Sequence, residues 1–75
     1  MLDVQDTIII DIKGDKVEIA YTASPRGVLL DCLAYVHPAK KGGRGRQEEL
    51  EDLLPDWNAR ADIRDLIHRR LYESR

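Results

Sequence analysis

The chain has no phenylalanine, one cysteine, one tryptophan and one methionine in 75 residues. Each scarcity excludes something. A lone Cys32 cannot build an internal disulfide framework, which fits a reducing compartment, and the cytoplasm is the expected location. One cysteine and two separated histidines (His37 and His68) do not supply the four compact ligands of a zinc site. With Tyr21, Tyr35, Tyr72 and Trp57 as the only aromatics, there is little material for a base-stacking platform. Neither charge sign dominates: 12 basic residues against 14 acidic ones leave a net charge of −2. That balance speaks against a chain-wide nucleic-acid binder and against an acidic mimic of one. No apolar run approaches the roughly 20 residues of a membrane-spanning helix, so neither a membrane anchor nor a leader is expected.

Catalytic patterns are missing as well. No GxxxxGK[ST] phosphate loop is present. No nucleophile can be matched with a base and oxyanion donors, so the expectation is a protein that is not an enzyme. No catalytic, cofactor-binding or metal-binding residue is assigned, and no small-molecule substrate is evident. Cys32 is expected to be a small core residue.

What the chain does contain is a strong hairpin signal. Thr7 to Thr22 alternates apolar and polar side chains around a short Gly-Asp centre. With Gly14 and Asp15 in the turn, Ile12 faces Val17 and Ile10 faces Ile19. Ile8, Ile10, Ile12, Val17, Ile19 and Tyr21 then share one face, and a one-residue slip would destroy that segregation. The same register opposes Asp11 and Glu18, an unfavourable pair of like charges.

Ala23 to Gly27 reads as a turn, with Pro25 fixing φ and Gly27 tolerating a positive one. Val28 to Val36 is open to two readings. Pro25 as a first helical residue and Pro38 as a stop suit a helix. Packing favours a strand, because Val28, Leu30, Cys32, Ala34 and Val36 would extend the hairpin's apolar face. Residues 37–46, HPAKKGGRGR, read as a flexible basic glycine-rich loop. Gln47 to Leu54 reads as a short acidic helix ended by Pro55. Asp56 or Asn58 can cap the last helix, whose stripe is Ala59, Ile63, Leu66, Ile67 and Leu71. Trp57, at the hinge, is expected to plug the sheet edge or the helix junction, and His68 to lie on the helix's polar face. The run Leu53-Leu54-Pro55-Asp56 leading into Ile63 to Glu73 resembles segments of small phage and mobile-element proteins. It covers a minor part of the chain and carries over no site residue.

The fold expected is a single α+β domain over 1–75. A three-stranded antiparallel β-meander is packed on one face by one or two C-terminal helices; the alternative is a hairpin followed by three helices. The other face of the meander would present Ile9, Leu29, Leu33 and Tyr35 with no evident cover. A solvated sheet face should be mostly polar. Grouped apolar residues there point to a contact surface for a protein partner or a second copy, aided by an open strand edge. The second reading is an accessory to nucleic acid. It would touch phosphates through Lys40, Lys41, Arg44 and Arg46 and through an Arg60/Arg64 strip on the last helix.

Overall fold

The computed structural model describes residues 3–73. Strands β1 (Val4–Ile12), β2 (Asp15–Ser24), β3 (Gly27–His37) and β4 (Arg46–Glu49) form one antiparallel sheet in the order β1-β2-β3-β4. A single helical turn, α1 (Leu50–Leu53), and a longer helix, α2 (Trp57–His68), follow, and a π-helical turn, Arg69–Glu73, continues α2. The chain is therefore α+β, a meander with a C-terminal helix, and Val28 to Val36 is a strand. The expected three strands become four. Gln47 to Leu54 does not form a single acidic helix. Its first half lies along β3, with Gln47 opposite Tyr35 and Glu49 opposite Leu33. An open ladder of backbone groups on β3 outweighs the helical propensity of Gln and Glu.

The hairpin forms with its turn one residue earlier than expected. Lys13 and Gly14 occupy the two central positions, both with positive φ (52° and 88°). Ile8 thus faces Ile19, Ile10 faces Val17 and Asp11 faces Lys16. A two-residue turn whose backbone matches the twist of the strands needs positive φ at both positions, and Gly14 supplies one of them. The pairing moves by two residues, so the faces are unchanged. It replaces the opposed Asp11 and Glu18 with an Asp11–Lys16 ion pair at 2.9 Å.

The core is the expected inner face. Ile8, Val17, Ile19, Ala23, Val28, Ala34 and Val36 are buried together with Leu50, Ile63 and Ile67. Helix α2 starts at Asp56, whose side chain accepts the Asn58 N–H at 3.0 Å and satisfies one of the unpaired donors of the first turn. It lies over β3 and β2. The buried stripe is narrower than the spacing suggests: Ile63 and Ile67 are inside, while Leu66 and Leu71 stay exposed.

A bulge in β3 accounts for the largest departure. Tyr21 faces Leu30, but Ile19 faces Ala34, so Asp31, Cys32 and Leu33 together lie opposite Ala20. Extra residues of this kind bend a strand and re-aim its side chains. Cys32 is consequently exposed and not a core residue.

Candidate functional site

The four side chains expected on the outer face are all exposed. Ile9, Leu29, Leu33 and Tyr35 are 58%, 75%, 49% and 41% exposed. The register sets their spacing. Ile9, Glu18, Tyr35 and Gln47 form one row across all four strands, and Leu29 lies beside Thr22. Among the described residues no helix covers this face, because α2 packs on the opposite one. Polar side chains on this face are largely self-neutralised. Asp11 pairs with Lys16, and Glu18, which lies between Ile9 and Tyr35 in the row, meets His37 Nε2 at 3.2 Å. His37 in turn lies against Tyr35, with ring centroids 4.7 Å apart.

The glycine-rich loop folds back toward the same surface. The Ala39 N–H donates to Asp15 Oδ1 at 3.1 Å, and the Gly43 N–H donates to the Lys40 carbonyl at 3.0 Å. Gly45 lies so close to the Tyr35 ring that a Cβ at that position would overlap it. A larger residue there would have to push the exposed Tyr35 ring aside, and the loop lies against one side of Tyr35. Lys40, Lys41 and Arg44 remain exposed around this return. Arg46 opens β4 and approaches Glu48 at 3.4 Å.

Arg60 and Arg64 sit elsewhere. They line a groove of about 580 Å³ between β3 and α2, with Leu30, Cys32, Leu50 and Trp57. The Arg64 guanidinium lies 5.5 Å from the centre of the Trp57 ring, and Arg60 reaches Glu51 at 4.0 Å. Trp57 is 62% exposed and plugs neither the sheet edge nor the helix junction. No residue of the basic loop lines this groove. The six cations of the second reading therefore fall into two groups, one at the β1–β2 turn and one beside the middle of β3. The groove could not be read from the sequence, since it lies between β3 and α2, which are far apart in the chain. The available signal was Trp57, Arg60 and Arg64 at i, i+3 and i+7, on one face of a helix.

His68, expected on the polar face of the helix, is partly exposed but engaged on both ring nitrogens. Its Nε2 donates to the Pro25 carbonyl at 3.0 Å, and its Nδ1 meets Glu73 Oε2 at 3.3 Å. Both contacts favour the protonated ring, the Pro25 bond most, and raise the His68 pKa above its ordinary value. The residue ties the end of α2 to the β2–β3 turn. On β2, burial and then the charge of Asp6, its cross-strand neighbour, raise the Tyr21 phenol.

Among the described residues, no group of three or more His, Cys, Asp or Glu side chains could hold a metal ion, and no helix is long and apolar enough to cross a membrane. Comparison with protein-family models, with curated proteins and with solved structures finds no match to this chain.

Proposed function

We propose that this chain is a small non-enzymatic interaction protein. Its outer sheet face takes a macromolecular partner, and its open strand edge provides a route to self-association. One observation carries the reading: Ile9, Leu29, Leu33 and Tyr35 share an uncovered face while a complete core lies on the other side of the same sheet. Large apolar side chains left in solvent are costly, and burying the part still exposed recovers roughly half of the about 1.5–3 kcal/mol that full burial of each is worth. A charge-neutral patch suits a protein surface better than a phosphate backbone. The exposed free thiol of Cys32 supports a reducing, cytoplasmic setting.

The test is co-purification from the native host with Leu29→Asp and Leu33→Asp. Both side chains are exposed, so both variants should melt like the parent protein. Both should lose the bound partner. A partner retained by both variants refutes the surface.

A second reading has a specific observation behind it. The Ala39–Asp15 bond holds Lys40, Lys41 and Arg44 near the turn that carries Lys13 and Lys16. Such a cluster can contact phosphates without reading bases. On this reading, nucleic-acid affinity falls steeply with salt, and replacing Lys40, Lys41, Arg44 and Arg46 by Ala flattens the slope. Salt-independent binding, or none, rules it out.

A further inference from the structure

The two edges of the sheet are protected very differently. Strand β4 is four residues long and reads Arg-Gln-Glu-Glu, short and charged, which is how natural sheets discourage pairing at an edge. Strand β1 is nine residues long and contains no lysine, arginine, proline or glycine. Its packing partner among the described elements is β2. Three consecutive isoleucines, Ile8 to Ile10, give it high strand propensity.

The turn fixes which backbone groups of β1 are free. A two-residue turn closes on a hydrogen-bonded pair, here Ile12 and Asp15. Ile12, Ile10, Ile8, Asp6 and Val4 therefore exchange bonds with β2. Asp11, Ile9, Thr7 and Gln5 direct their N–H and C=O groups away from the sheet. One contact agrees with this: the Thr7 N–H donates to the side chain of Asp6, at 2.8 Å, and not to β2.

A free edge of this pattern is complementary to itself. A two-fold axis through Ile8 brings Thr7 opposite Ile9 and Gln5 opposite Asp11, each twice by symmetry. Every outward-facing group of the strand then has a partner. In the same register Ile8 meets Ile8, Val4 meets Ile12 and Asp6 meets Ile10, so no acid opposes an acid. Moving the axis to Thr7 opposes Asp3 and Asp11. Moving it to Ile9 carries Gln5 beyond the strand onto Lys13 of the turn. The axis at Ile8 is the one that uses all four free residues without opposing charges. We propose that β1 seats the β1 strand of a second copy, antiparallel and in the Ile8-on-Ile8 register, with Asp6 as the side chain that must swing away from Thr7 first. The product is a closed, isologous dimer with one continuous eight-stranded sheet, both α2 helices on one side and both outer faces on the other. Asp6 acts as a guard on the edge: while it holds the Thr7 N–H, that donor is unavailable to the partner.

This inference rests on the reading of the chain as an interaction protein, and the experiment separates the two. Sedimentation of the purified full chain over a micromolar-to-millimolar series should show a reversible monomer–dimer equilibrium. Thr7→Pro removes an edge donor that β2 does not use, and proline is tolerated at such a position. It should leave the far-ultraviolet circular dichroism and the melt intact and give a monomer throughout. Asp6→Ala should lower the dissociation constant about tenfold, since two exposed hydrogen bonds no longer have to be given up. Leu33→Asp should still dimerise while losing the host partner. A parent protein that stays monomeric throughout overturns the inference, as does a dimer that survives Thr7→Pro. A dimer lost in Leu33→Asp but kept in Thr7→Pro also overturns it, and moves self-association to the outer face. Should Thr7→Pro fail to fold, Asp6→Ala decides alone, and an unchanged or weaker dimer refutes the proposal.

Discussion

Lys13 adopts a conformation that a lysine does not favour, and relieving it tests the hairpin register directly. Its φ is +52° and that of Gly14 is +88°. An L-residue in the left-handed region costs roughly 1–2 kcal/mol, from crowding of Cβ against the following carbonyl. Asparagine tolerates the region better, because its short polar side chain can bond locally, and Asn-Gly is the preferred pair for this turn. Lys13→Asn should recover part of the cost, about 0.5–1 kcal/mol. For a domain of this size that raises the melting temperature by about 2–8 °C. Lys13 is exposed, so losing its charge contributes little. Lys13→Ala, which removes the charge without adding left-handed tolerance, should show no gain. Gly14→Ala should cost about 1–2 kcal/mol for the same steric reason. A turn centred on Gly14-Asp15 predicts something different: Asp15→Gly would then be the stabilising change. In the observed register, Asp15 lies in β2 and holds the Ala39 N–H, so Asp15→Gly should destabilise. Calorimetric melts of these four variants suffice. A stabilised Asp15→Gly with an unchanged Lys13→Asn would refute the register and the Asp11–Lys16 pair with it.

Further outcomes follow from the packing. Ile67 is 2% exposed at the centre of the α2 contact, so Ile67→Ala should cost about 2–5 kcal/mol in urea unfolding. Set against the roughly 4–11 kcal/mol expected for 75 residues, that leaves the variant near its unfolding threshold. Ile67→Val should cost far less. His68 gives a pH dependence whose sign is fixed by its raised pKa. The folded protein holds the proton more tightly than the unfolded chain. The contribution is therefore complete below the unfolded value of 6.5 and is lost as pH rises through the higher folded value. Urea midpoints should fall across that window, and His68→Gln should flatten the fall. Cys32 should react with a maleimide in the native state at nearly the rate seen in urea; strong native protection would mean the bulge in β3 is misplaced.

The parts of the fold that were readable in the sequence depend on local pattern. Alternation from Thr7 to Thr22 fixed the faces of the hairpin even with the turn misplaced, because an error of two residues in pairing preserves parity. The i, i+4 spacing of Ile63 and Ile67 located the helix and the sheet face it covers. What was not readable depends on partners far along the chain. Arg46 to Glu49 becomes a strand because β3 offers it a ladder, and nothing within those four residues indicates this. Cys32 is exposed because β2 and β3 change register beside Ala20, a mismatch that arises between strands. His68 looked like one more cation on a polar helix face; its role depends on the Pro25 carbonyl, 43 residues earlier. The exposure of the outer-face residues follows from parity alone, whereas the groove beside Trp57 needs β3 and α2, far apart in the chain, to meet.

Geometry also explains why the candidate surfaces lie where they do. An α-helix is about 10 Å across, and neighbouring strands lie about 4.8 Å apart, so one helix covers roughly two strands of a sheet. The described residues form one long helix and four strands. Helix α2 takes β2 and β3, the strands carrying the most deeply buried side chains, and α1 closes the β4 side with Leu50. Strand β1 is left with β2 for support, and its inner-face residues Val4, Ile10 and Ile12 remain half-buried. A single helix can cover only one face of a sheet, so Leu29, Leu33 and Tyr35 stay in solvent for the same reason. The open edge and the open face are thus two results of one shortage of covering elements.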